Sequence, residues 1–118
     1  MITGTVTEDL VPTITLPVAG KAWQTIIDTG FNGDLELPEE LRPFVYPRYP
    51  VRQHSYLAGG QVIEEFVYLV DFPFDGEIVV AEASFVPDDP VLLGTAMLRL
   101  YRLDMNFVAR TVLLERVD

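Results

Sequence analysis

Short apolar runs broken by proline or glycine set the rhythm of this chain, with nine prolines and eight glycines spread along it. That punctuation predicts β structure. Thr13 to Val18 alternates, so Ile14, Leu16 and Val18 share one face of a strand. Ala19-Gly20-Lys21 reads as a turn and Trp23 to Ile27 as the returning strand, with Trp23 in the core on the face opposite Asp28. Leu35-Glu36-Leu37 is a short strand stopped by Pro38. Pro38-Glu39-Glu40-Leu41-Arg42 then has proline first and acids next, the pattern of a single helical turn. Strands around Arg52–Leu57 and Gln61–Phe72 flank Ala58-Gly59-Gly60, and paired glycines suit a hairpin turn with positive φ. Phe74-Asp75-Gly76-Glu77 is the next tight turn, followed by a strand over Ile78–Val86. After Pro90 the run Val91-Leu92-Leu93 ends at Gly94, and Thr95–Tyr101 has the helix formers for the one clear helix. Leu103–Phe107 and Thr111–Val117 close as a hairpin across Val108-Ala109-Arg110. The expected class is all-β, a single domain over residues 1–118.

Composition narrows the function. The 118 residues are 49% apolar and 22% charged, an ordinary globular mixture with material for a real core. The absence of cysteine excludes a disulfide framework, a thiol nucleophile and cysteine-ligated zinc. Eighteen acids against eight bases give a net charge of −10, and no Lys/Arg cluster offsets it, so nucleic acid is not an expected partner. No run approaches the ~18 apolar residues of a membrane span, and the first residues lack a secretory pattern; a cytoplasmic location is the expectation.

The segment that carries chemistry is Ile26-Ile27-Asp28-Thr29-Gly30-Phe31-Asn32-Gly33. An apolar strand runs straight into a carboxylate, which is costly to bury unless it is hydrogen-bonded or paired. Gly30 allows the sharp turn, and its N–H can point at the carboxylate. Thr29 adds a hydroxyl able to bond across to a neighbouring chain. Asp-Thr-Gly is also an ordinary turn sequence, in which Asp28 would only cap local amides. Further along come the Gly59-Gly60 hairpin and then Val91-Leu92-Leu93-Gly94, a second apolar strand ending in glycine.

This order, from about Ile14 to Leu114, resembles the retropepsin-like aspartic peptidases, especially their small bacterial and archaeal members. In that family an aspartate turn comes first, a hairpin flap second, and a hydrophobic-hydrophobic-Gly motif with a helix last. The resemblance implies an acid-protease barrel that pairs as a twofold dimer. It makes Asp28, Thr29 and Gly30 the catalytic turn, Leu57, Ala58, Gly59 and Gly60 the substrate-covering flap tip, and Leu92, Leu93 and Gly94 the structural motif beside the site. Two carboxylates held close share one proton; the ionised one activates a water and the protonated one polarises the peptide carbonyl. No metal or cofactor is implied. The chain carries one Asp-Thr-Gly, so a homodimer supplying Asp28 twice is the expected solution. The implied activity is endopeptidase cleavage of peptide or protein substrates. The alternatives are a non-catalytic dimeric peptide-binding or regulatory module of the same fold, and pairing with a different chain.

Two pairs of residues depart from the retroviral pattern. Phe31 and Asn32 stand where a small residue and an aspartate are usual, and Thr95-Ala96 where an arginine opens the helix. The charged contact between that aspartate and arginine is therefore gone from both sides, leaving no orphan charge. His54, the one histidine, has no partners at metal-ligand spacing and is read as a solvated strand residue.

Overall fold

The computed structural model describes residues 1–56, 59–88 and 90–117, with backbone alone for 52–56 and 63–65. The strands are β1 (Ile2–Val6), β2 (Pro12–Val18), β3 (Lys21–Ile27), β4 (Leu35–Pro38) and β5 (Tyr49–Tyr56), followed by β6 (Val62–Phe74), β7 (Glu77–Val86), β8 (Val91–Leu93), β9 (Tyr101–Asn106) and β10 (Thr111–Arg116). They form one ten-stranded sheet in the order β5-β6-β7-β4-β8-β3-β2-β1-β10-β9, and β2 approaches β6 as the sheet curls around its core. The all-β expectation is met.

Alternation decides what faces inward. Ile14, Leu16 and Val18 of β2 are all buried, as are Trp23 and Ile27 of β3. They pack with Leu35, Leu37, Val70, Phe72, Leu93 and Leu114 in one continuous core. Each such side chain contributes roughly 1.5–3 kcal/mol by leaving water, before the entropy of ordering the chain is set against it. Trp23 sits in the core as its position in the strand predicts, with the Lys21 ammonium 4.4 Å from the ring centre. Thr25 is fully buried; its hydroxyl is satisfied by donating to the Trp23 carbonyl at 3.3 Å.

Two features depart from the sequence reading, and a third agrees with it. β1 was not foreseen, because Gly4 interrupts its apolar pattern. That glycine is required: a Cβ there would lie 2.0 Å from the Thr13 carbonyl oxygen of the paired strand. The segment after Gly94 is a single 3₁₀ turn, Thr95–Leu98, and not a helix reaching Tyr101. Tyr101 instead opens β9 and pairs with Arg116. The turn expected after Pro38 is present as a 3₁₀ segment, Glu39–Phe44, whose Arg42 guanidinium covers the rings of Tyr68 and Phe85 at 4.7 and 4.2 Å. Among the described residues, no helix is long and apolar enough to cross a membrane.

Candidate active site

β8 is the strand that holds the Asp28 turn in place. It lies between β3, with which it runs parallel (Ile27 opposite Leu93), and β4, with which it runs antiparallel (Leu35 opposite Leu93). The chain therefore leaves β3, passes over the end of β8 through Asp28 to Asp34, and returns as β4. Asp28 extends the β3–β8 ladder, its N–H donating to the Leu93 carbonyl at 3.0 Å. Its half-buried carboxylate then emerges at the end of a strand whose inner residues are fully packed.

The turn is closed by two bonds. The Phe31 N–H donates to the Asp28 carbonyl at 3.1 Å, and the Gly30 N–H donates to Asp28 Oδ1 at 3.0 Å. The second is the bond anticipated from the sequence, and it aims one carboxylate oxygen. Asp28 Oδ2 accepts no hydrogen bond from the described residues. Thr29 and Gly30 are exposed on the outer side of the turn. A carboxylate presented in this way has one oxygen fixed by an amide and the other available to a water, a substrate or a second carboxylate.

Leu92, Leu93 and Gly94 lie directly beneath the turn. A Cβ on Gly94 would lie 2.1 Å from the Gly33 carbonyl oxygen and 2.8 Å from the Phe31 ring, so only glycine fits. Four bonds cross this contact. The Gly94 N–H donates to the Asp34 carbonyl at 2.9 Å, the Thr95 N–H to the Phe31 carbonyl at 2.8 Å, the Ala96 N–H to the Gly33 carbonyl at 3.2 Å, and Thr95 Oγ1 to the Phe31 carbonyl at 3.3 Å. Neutral bonds to the Phe31 carbonyl thus link the two segments whose retroviral counterparts meet through a charged contact. Asp34 is a further positioning residue that the sequence reading missed: its Oδ2 accepts from the Glu82 N–H at 2.9 Å and ties the turn to β7.

The β5–β6 hairpin is an arm. Its rungs run from Tyr49 opposite Leu69 to Tyr56 opposite Val62, whereas β6 meets β7 only from Tyr68 onward. The rungs from Val51 opposite Val67 outward therefore belong to a two-stranded ribbon. Gly59 and Gly60 are exposed at its tip, and Gly60 has φ of 80°. Leu57 and Ala58, also assigned to the tip, lie outside the described residues, as do the side chains of His54 and Tyr56. Among the described residues, no three His, Asp or Glu side chains come together as a metal site would require.

No protein-family model matches the chain, and no curated protein sequence matches it. Solved structures do. The chain is similar to a retropepsin-like aspartic protease from Rickettsia conorii, with a TM-score of 0.64 at 17% identity over 96% of this chain and 88% of that one. It is also similar to the foamy viral protease-reverse transcriptase solved in complex with RNA/DNA hybrid, with a TM-score of 0.56 at 20% identity over 80% of this chain. The chain spans only 13% of that viral protein's length. With the aspartate turn, the strand beneath it and the glycine-tipped arm in this order, the chain has the retropepsin-like aspartic protease fold.

Proposed function

We propose that the chain is an aspartic endopeptidase whose active site forms across a homodimer, each copy supplying Asp28. The observation that carries this reading is the mounting of Asp28. Its carboxylate emerges at the exit of a buried strand, has one oxygen held by the Gly30 amide at 3.0 Å, and stands over a frame in which only glycine fits at position 94. A turn serving structure alone would not need so tight a support beneath a half-exposed acid.

In the dimer the two Asp28 carboxylates face one another and cannot both ionise, so they hold one proton between them. The ionised member takes a proton from a water lying between them, and that water attacks the peptide carbonyl. The protonated member hydrogen-bonds to the carbonyl oxygen as charge develops there, and a proton then passes to the leaving nitrogen. Every proton needed comes from the dyad and the water. The Thr29 hydroxyl, exposed beside Asp28, bonds across to the partner's turn, and the Gly59-Gly60 arm closes over the extended substrate and excludes water.

The test is cleavage of a denatured-protein mixture by the wild-type chain and by Asp28→Asn, with sedimentation of both. Loss of at least ~1,000-fold in rate, with the dimer intact, is the expected result, since a neutral amide cannot take the water's proton. Equal activity in the two proteins would remove Asp28 from the mechanism. Binding of peptides without cleavage by the wild type would mark a regulatory module of the same fold.

A further inference from the structure

Strand alternation puts Gln24, Ile26 and Asp28 on one face of the chain leaving β3. On that face, two residues before Asp28, Ile26 helps to line a cavity of about 280 Å³. Val11 and Pro90 extend its apolar wall, while Thr7, Asp9, Thr13 and Gln24 are its polar members. The space falls below the ~300 Å³ at which pockets for whole small ligands begin, and suits one large side chain.

Asp9 sits on the connection between β1 and β2. The β1–β2 connection is closed by the Thr7 N–H donating to the Val11 carbonyl at 2.9 Å and the Leu10 N–H donating to the Thr7 carbonyl at 2.9 Å. The Val11 N–H adds a bond to Thr7 Oγ1 at 3.2 Å. On this turn Asp9 is exposed and forms no ion pair among the described residues. Arg110, at the neighbouring β9–β10 turn, donates instead to the Val6 carbonyl at 2.8 Å. A space with Val11, Ile26 and Pro90 on one part of its wall and a solvated carboxylate among its polar lining matches a side chain with a methylene stem and a cationic head. The net charge of −10 attracts such peptides to the surface before they dock.

We propose that this cavity is a specificity pocket beside the reacting centre and takes an arginine or lysine of the substrate, with Asp9 meeting its charge. The proposal rests on the reading of Asp28 as catalytic, since that is what makes the neighbouring pocket a substrate pocket.

Two measurements test it. In the first, the products of a digested protein mixture are sequenced. Arginine or lysine is expected at one fixed position relative to the cleaved bond, and Asp9→Asn is expected to lower that enrichment by up to about fivefold, the upper end for an exposed ion pair. An enrichment confined to apolar residues, or a basic preference unchanged in Asp9→Asn, would overturn the proposal. The second measurement needs no cleavage. Asp28→Asn, with and without Asp9→Asn, is titrated with a fluorescent hexapeptide carrying arginine or its neutral isostere citrulline. Tighter binding of the arginine peptide that disappears with Asp9 supports the pocket even if the wild type cleaves nothing, in which case the catalytic reading fails and this one stands. Equal affinity for the two peptides, or no binding of either, defeats the pocket assignment whatever the wild type cleaves.

Discussion

The Asp28 turn and the tip of the β5–β6 arm are both glycine-bearing bends at strand ends, and they are built in opposite ways. At Gly94, beneath the aspartate, an added Cβ would run into the Gly33 carbonyl at 2.1 Å. At Gly59 and Gly60 it would meet nothing within 4 Å among the described residues. Glycine is needed at the first site for space, at Gly60 for a φ of 80°, and at Gly59 for neither reason. The difference separates a frame held from both sides from a ribbon held along one. The frame has strands on both sides of β8 and backbone bonds crossing between Asp28–Asp34 and Gly94–Ala96. The arm beyond Val67 has one neighbouring strand on each rung, the arrangement that is marginal in water on its own.

The largest effect that would break this contrast is at Gly94. Gly94→Ala places a methyl group against backbone that is itself hydrogen-bonded, so a shift must propagate into the Asp28 turn. A destabilisation of about 3 kcal/mol is expected, near the upper end for overpacking. For a domain of this size that lowers the melting midpoint by roughly 10 °C, and activity is lost with it. A melt within about 2 °C of wild type would mean that the frame yields, and that turn and arm do not differ in kind.

At the arm the same substitution has a smaller and local effect. Gly60→Ala meets a left-handed backbone that costs an L residue roughly 1–2 kcal/mol. Because the ribbon can open without unfolding the sheet, less than that is expected to reach the global midpoint, and turnover changes more than melting does. Gly59→Ala, in open space, is expected to match the wild type. Hydrogen exchange sharpens the comparison directly. Amides of residues 51–56 and 62–67 exchange through local opening, while those of Asp28, Gly94 and Thr95 wait for global unfolding. Equal protection in the two sets would make the arm part of the frame.

Much of this was legible in the sequence because it depends on residues close together. The alternation of Ile14, Leu16 and Val18 set the inward face of β2, and Asp28-Thr29-Gly30 contained its own bond from Gly30 to the carboxylate. What could not be read depends on which strands become neighbours, since a period of two assigns faces and not partners. The parallel pairing of β3 with β8 joins Thr25 to Val91, and nothing local to either announces it. The helix expected over Thr95–Tyr101 has adequate formers. It stops after one 3₁₀ turn because Tyr101 is drawn into β9, where it pairs with Arg116. Asp9 was hidden for the same reason: it reaches the face of Gln24 and Ile26 only because β1, β2 and β3 lie side by side.

The last prediction concerns the other end of β6, and turns the comparison into one between two ends of a single strand. At Val62, β6 belongs to the arm; at Phe74 it enters the Asp75-Gly76 turn, which is fastened to β9. There the Tyr101 hydroxyl donates to Asp75 Oδ2 at 2.9 Å, and the Tyr101 ring meets Phe74 edge-on at 5.5 Å between centres. The hydrogen bond from Tyr101 holds the Asp75 carboxyl below its usual range. Burial first, and then Asp75, push the Tyr101 hydroxyl up to about 12. For the depressed acid, the stabilisation is present above the ordinary carboxylate value of 3.8 and is lost as pH falls through the lowered one. For the raised phenol it is present below 10.0 and is lost as pH climbs to about 12. Tyr101→Phe should therefore cost about 1 kcal/mol on the plateau between, kept small by partial exposure. Urea unfolding across the pH range should show the variant and wild-type curves converging at both extremes. A gap that stays constant from acid to alkali would show that the bond does not fasten this end. The variant should also leave exchange in the arm unchanged, because the fastening acts on the end of β6 where the sheet is already continuous.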